Sequence, residues 1–294
     1  MVRLPNNEEV ERTRRVLEDR FKERADNFFI VSYDGTHSVG KDYYVQRTAN
    51  FLEGRGFDVS VLRETDDKIE DRAARSYASL RRNYIDDALR RAQELTSRGT
   101  EVTRASINFD PDHLASLFGL TRKNYWEKMV HEPTRPHTGS DKKKQALVLN
   151  RSIDSSLAIG TIEAPDRPLY ETLNLACPTE VLPADLAFVL VGHEDILYQI
   201  LAERARETQR QFQGRKDWIE APYILEYALE FGRIEKSKET MRRWWLQETN
   251  ETFRRTAQAI PNSIVLDITR PRNDHHERIG KKRIWEEIRS HLRA

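Results

Sequence analysis

The chain holds one cysteine, Cys177, among its 294 residues. That excludes an intrachain disulfide framework and suits a reducing compartment. No stretch approaches the roughly 20 consecutive apolar residues a membrane-spanning helix needs. Charge of one sign is missing too: 49 Lys and Arg stand against 48 Asp and Glu, a formal net charge of +1. No global field marks the chain as a nucleic-acid or membrane-surface binder, so phosphate recognition must come from local placement of arginine and lysine. The first residues, MVRLPNNEEVERTRRVLEDRFKERAD, are charged throughout and lack the apolar core of a secretory leader. The expectation from these absences is a cytoplasmic protein. What is present is 38% apolar and 33% charged residues, in a chain long enough to bury a substantial core.

The apolar pattern alternates between two kinds of segment. Phe28-Phe29-Ile30-Val31 is a short continuous apolar run, the mark of a strand buried on both faces of a parallel sheet. Phe57–Leu62, Ala146–Leu149, Asp185–Val191 and Ser263–Ile268 read the same way. Helical patterns are expected over about 8–26, 41–52, 68–98, 112–130, 194–207 and 274–292, with one long helical region from about 217 to 259. Residues 131–144, HEPTRPHTGSDKKK, carry the punctuation of an exposed loop. Strands alternating with helices predict an α/β domain whose mostly parallel sheet is covered on both faces.

Chemistry enters after the first strand. Gly35-Thr36-His37-Ser38-Val39-Gly40-Lys41-Asp42 matches G-x-x-x-x-G-K-[ST] at every fixed position except the last. Such a loop turns backbone N–H groups toward phosphate oxygens, adds the positive end of the following helix, and sends its lysine to the outer phosphates. The alternative is a chance glycine-rich turn, but a predicted strand and a predicted helix flank the motif as its chemistry demands. Asp42 puts a carboxylate where a neutral hydroxyl ordinarily meets Mg²⁺.

From this loop onward the sequence resembles the thymidylate kinase family over nearly the whole chain from Phe28. Tyr33-Asp34-Gly35 is similar to the family's lead into its phosphate loop, and Arg63-Glu64 stands where the family closes its second strand. Asp112–Arg122 resembles the family helix whose Phe stacks on the base and whose Arg, four residues on, hydrogen-bonds it. Phe118 and Arg122 have that spacing, which puts both on one helix face. A core Phe and a solvated Arg are the alternative. Asn150-Arg151-Ser152 is similar to Asp-Arg-Tyr; the resemblance assigns Arg151 to the acceptor's phosphate, against a plain strand cap. The stretch from Glu203-Arg204 to Glu220 resembles the family's mobile lid. Arg206, Arg210 and Arg215 are then either transition-state cations or ordinary surface arginines.

Four positions depart from that pattern. Asp42 replaces the metal-binding hydroxyl, Asn150 replaces a metal-side aspartate, His37 replaces a sugar-recognising aspartate, and Ser152 replaces a tyrosine packed beside the sugar. Either the metal-side carboxylate has moved from position 150 to 42, or the metal site has been lost. A hard cation needs oxygen ligands and one or two carboxylates, so relocation is chemically possible. The adjacent pair His275-His276 points apart on a helix and reads as solvated.

The resemblance implies a three-layer P-loop NTPase fold with a five-stranded parallel sheet. It divides the chain into an N-terminal helical extension (1–27) and a domain (28–294) with a charged helical insertion at about 68–108 and an arginine-rich lid at about 204–217. It implies ATP-dependent phosphorylation of a nucleoside monophosphate, with ATP and Mg²⁺ as cofactors. Residues 35–42 would hold the donor, and Asp42 with Asn150 the metal. Lys41, Arg151 and the lid arginines would carry catalysis, with Asp34, His37, Arg63, Glu64, Phe118, Arg122, Arg151 and Ser152 lining the acceptor site. Expected partners are a nucleotide acceptor and a second copy of the chain, with neither membrane nor nucleic acid. A small-molecule kinase and a silent nucleotide-binding protein of the same fold are the alternatives.

Overall fold

Each of the apolar runs becomes a strand of a single sheet in the computed structural model, which describes residues 2–23, 28–36, 39–63, 72–126, 144–211, 221–269 and 274–293. The strands are β1 (Phe28–Gly35), β2 (Asp58–Arg63), β3 (Gln145–Asn150), β4 (Leu186–Gly192) and β5 (Ser263–Thr269). The helices are α1 (Asn7–Lys22), α2 (Lys41–Glu53), α3 (Arg72–Ser97), α4 (Arg104–Ile107), α5 (Pro111–Trp126) and α6 (Ile153–Glu163). They continue as α7 (Leu169–Ala176), α8 (Glu194–Gln211), α9 (Ala221–Phe231), α10 (Lys238–Thr256) and α11 (Asp274–His291). Strand order is β2-β3-β1-β4-β5 and every neighbouring pair is parallel. The expected α/β class and five-stranded parallel sheet are therefore observed.

Alternate strand residues feed two cores. On one face Ile30, Leu147, Leu149 and Ala187 pack with Val10 and Leu17 of α1, Leu157 of α6 and Leu173 of α7. On the other, Val31, Tyr33, Val148 and Phe188 pack with Val45 and Leu52 of α2, Leu197 of α8 and Ile284 of α11. Helices cover both faces, giving three layers.

The first helix is part of this core. Asn6 and Glu9 form a capping box, with Glu9 N donating to Asn6 Oδ1 at 2.9 Å and Asn6 N to Glu9 Oε2 at 2.8 Å. Ahead of it, Val2 N donates to Glu248 Oε2 of α10 at 3.1 Å, and Arg255 Nε donates to the Pro5 carbonyl at 2.7 Å. The segment ahead of the cap is thus fastened to α10 at two points. A separate small core joins α3, α4, α5 and α9 through Ile85, Ala92, Ile107, Leu114, Leu225 and Ala228. The expected insertion accordingly packs on α5 and α9.

The long helical region expected up to residue 259 is broken. Gly232, at φ 72°, follows α9 in the left-handed region that ends a helix. Ser237 then starts α10 by accepting from Thr240 N. A 3₁₀ turn, Ala257–Ala259, closes it. Residues 131–143 lie outside the described residues.

Candidate functional site

Strand order fixes where a site can form. The chain leaves β1 toward the β2 edge and leaves β4 toward β5, so the loops beyond their carboxyl ends diverge; in open α/β sheets ligands bind at such a point. Residues 35–42 begin there. Gly35 has φ 123°, and a Cβ on it would lie 1.9 Å from the Leu190 carbonyl oxygen of β4. Thr36 N donates to that same oxygen at 3.2 Å. The loop is therefore held against β4 by an approach only glycine permits. Gly40, the residue before α2, has φ 81° with open space around it. Gly35→Ala should cost stability by about 1–3 kcal/mol or more, and Gly40→Ala less, because only the second avoids a backbone collision. Urea denaturation of the two variants checks the order.

Lys41 is 8% exposed and curls back over the loop. Its ammonium donates to the carbonyls of Gly35 at 2.9 Å and Thr36 at 2.7 Å. Val39 is buried against the second core, while His37 and Ser38 lie outside the described residues. Asp42, in the first turn of α2, is exposed, and Asn150 Nδ2 at the end of β3 donates to its Oδ1 at 2.6 Å. The two positions singled out as departures are thus in direct contact. Tyr33 and Arg63 are both in register with Asn150, so three strand ends meet beside this pair. Arg63 has its backbone described but not its side chain, and Glu64 lies outside the described residues.

Behind the loop sits a buried hub that sequence reasoning did not foresee. Asp34, fully buried, accepts from Ser152 N (2.7 Å), Ser152 Oγ (2.6 Å), Ser155 N (3.0 Å) and Ser155 Oγ (2.6 Å). A carboxylate at the start of α6 also meets the favourable end of the helix dipole. Both Asp34 and Ser152 had been assigned to substrate; in the structure they bond each other and lock β1 to α6. The only sequence signal was two serines three apart after a strand. Arg151 precedes them at φ 80°, and its N donates to the Tyr33 carbonyl at 3.0 Å, so it too lies at the carboxyl end of the sheet.

No protein-family model matches this chain, and no curated protein matches it either.

The remaining site residues lie on α5 and α8 or beyond. Arg122 is 1% exposed; its guanidinium donates to the Ser152 carbonyl and sits 3.0 Å from Cys177 Sγ. It also stands 4.4 Å from the centroid of the Phe118 ring, with Arg81 of α3 at 5.0 Å. Two cations therefore attend one aromatic ring. Phe118 and Arg122 do share a helix face, and Arg122 tethers α5 to the start of α6. Arg206 and Arg210 belong to α8 by their backbone, their side chains being outside the description, and Arg215 lies outside the described residues. Among the described residues no three His, Cys, Asp or Glu side chains group as a metal site, and no helix is long and apolar enough to cross a membrane.

Asp154, beside the hub, is fully buried and its carboxyl is pushed well above the ordinary aspartate range, first by burial and then by the charge of Asp34. Thr256 Oγ1 contacts its Oδ1 at 2.9 Å, and its Oδ2 makes no hydrogen bond. Unfolded aspartate titrates near pH ~4, so above that pH the folded state holds the extra proton. Stability then falls as pH rises, until the folded carboxyl also ionises. Asp154→Asn removes that penalty. The variant should gain on the wild type as pH rises from about 4 toward 8, and urea unfolding that runs parallel for both proteins would contradict this.

Proposed function

We propose that this protein transfers a phosphoryl group from ATP to a nucleoside monophosphate, a pyrimidine deoxynucleotide being the acceptor that the thymidylate-kinase resemblance favours. The observation that carries the reading is the Asn150–Asp42 contact beside Lys41, at the carboxyl ends of β1 and β3. Lys41 already rests on two loop carbonyls and needs only to exchange them for phosphate oxygens. The loop amides of residues 35–42 would hold the donor with it. Arg63 and Arg151 would hold the acceptor's phosphate, and Phe118 and Arg122 its base. Base stacking requires a guanidinium to leave the Phe118 ring, and Arg81, at 26% side-chain exposure, is freer to do so than Arg122. Arg206, Arg210 and Arg215 would meet charge spreading onto the transferring group.

The donor set fits Mg²⁺. Asp42 supplies a carboxylate, and Asn150, by donating its amide nitrogen to that carboxylate, leaves its amide oxygen as a second hard donor. Bound there, Mg²⁺ would neutralise charge on the outer phosphates. Catalysis would otherwise be positioning: Lys41 fixes the donor, Arg151 orients the acceptor, and no covalent nucleophile is required.

A second reading, nucleotide binding without turnover, is favoured by one fact: a carboxylate, Asp42, stands in the first turn of the helix that follows the loop, where it would repel a nucleotide's phosphates. A screen of nucleosides and nucleotides as acceptors, with ATP and Mg²⁺ and ADP release as the readout, separates the two. Turnover confined to monophosphates supports the transferase. ATP binding of equal strength in Mg²⁺ and in EDTA, with no ADP released, supports the silent protein.

A further inference from the structure

At the far end of α6, opposite the phosphate loop, three arginines from different elements converge on Glu163. The α6 helix spans 11 residues, so this cluster lies about 16 Å along the helix from the Asp34 hub. Arg104, at the start of α4, donates Nη2 to the Glu163 main-chain carbonyl at 2.8 Å, which leaves the carboxylate unspent. Arg81 Nη2 stands 3.7 Å from Glu163 Oε1, beyond hydrogen-bond length. Arg167 has only 6% of its side chain exposed and pairs with Asp112, itself 67% exposed, at 2.6 Å.

Donor accounting sets this cluster apart from an ordinary salt-bridge network. Nε and Nη1 of Arg167, and Nε of both Arg81 and Arg104, are buried and make no hydrogen bond, while Nη2 of Arg167 is held by Asp112. Guanidinium cannot shed its proton to relieve this, and it pairs best with an oxyanion through two parallel N–H groups. A structural pair would show that fork at 2.7–2.9 Å or so; Arg81 and Glu163 do not. Asp112 serves one edge of Arg167 only, and the two buried glutamates are poor counter-ions. Glu226 of α9 is pushed well above the ordinary glutamate range by burial and by Glu163, against the pull of Arg104, and burial likewise raises Glu163 against the pull of Arg81 and Arg167.

We propose that Arg81, Arg104 and Arg167 form a second anion site that takes a phosphate or carboxylate group. The site is independent of the loop at residues 35–42 and of the reading placed on it. Its oxyanion belongs either to a molecule lying along α6, reaching the cluster past Phe118, or to a free anion acting as an effector. Arg81 touches both regions, at 5.0 Å from the Phe118 ring and 3.7 Å from Glu163, so an anion here would draw Arg81 toward itself and leave the ring with one cation, Arg122, instead of two.

Inorganic phosphate is the probe, titrated calorimetrically into Lys41→Ala so that the loop does not compete. Binding is expected, and Arg167→Gln in that background should weaken it roughly tenfold or more, as loss of a charge-assisted contact does. Arg167→Lys, which keeps the charge without the fork, should weaken it less. Glu163→Gln should tighten it by removing the internal competitor, a gain that a purely structural cluster does not predict. Displacement of phosphate by a nucleoside monophosphate assigns the anion to the elongated ligand; simultaneous binding assigns it to an effector. No phosphate binding to folded Lys41→Ala, or binding indifferent to both Arg167→Gln and Glu163→Gln, overturns the site. Failure of ATP to bind the wild type would sink the loop reading alone.

Discussion

Lys41→Ala is expected to weaken ATP binding on the order of ten- to a hundredfold, since a charge-assisted hydrogen bond contributes about 1.5–3 kcal/mol. The ammonium is 8% exposed and lies within the loop, its two bonds going to carbonyls that a phosphate would replace as acceptors. Removing it deletes the only cation that the motif itself supplies. It also unties Gly35 and Thr36 from the start of α2, so a modest drop in melting temperature should accompany the loss. Lys41→Met separates the effects, because it keeps the aliphatic stem packed while removing the charge. Calorimetric titration of ATP into both variants is the check, and wild-type affinity in either would remove the basis for phosphate binding at residues 35–42.

Exchange of the Asp42–Asn150 pair carries the other large effect. If the pair serves as one metal-side unit, Asp42→Asn should lower Mg²⁺-dependent phosphoryl transfer on the order of 10- to 100-fold or more. Asn150→Asp alone should do harm too: two carboxylates at a 2.6 Å separation cannot both ionise, so one would keep a proton. Asp42→Ser with Asn150→Asp restores one hydroxyl and one carboxylate to the same contact. It should recover activity beyond either single variant, and such coupling is what residues in direct contact produce. Steady-state rates across Mg²⁺ concentrations test this. Additive losses, with the double variant worst, would show that the two residues act separately. Tighter metal-free nucleotide binding by Asp42→Asn, together with an inactive wild type, would favour the silent protein.

The sheet was legible because its signals are local. Continuous apolar runs such as Phe28–Val31 and Ala146–Leu149 are buried on both faces, and each read as a strand from a handful of adjacent residues. The need for a glycine at position 35 was legible for the same reason. What escaped notice was set by partners far along the chain. Asp34 read as a substrate contact because nothing near it names Ser152 and Ser155, more than a hundred residues away, as its donors. Arg122 reads as a base-binding group, and nothing near it in sequence shows that its guanidinium also meets Ser152 and Cys177. The Arg81–Arg104–Arg167 group draws on α3, α4 and the turn after α6, so no window of sequence contains it. The break at Gly232 was visible in principle, since a glycine with a serine five residues on is a stop followed by a start, but the helical periodicity on either side masked it.

The fastening of the first helix to α10 has a consequence for biosynthesis. Val2 meets Glu248 across 246 residues of chain, and α1 lays Val10 and Leu17 onto a face of the sheet completed later. At the usual ribosomal rate of about 5–20 residues per second, roughly 12–50 s elapse between translation of the helix and translation of its anchor. For that interval the emerging N-terminal segment lacks its anchor on α10, and its heavily charged composition suits it to solvent while it waits.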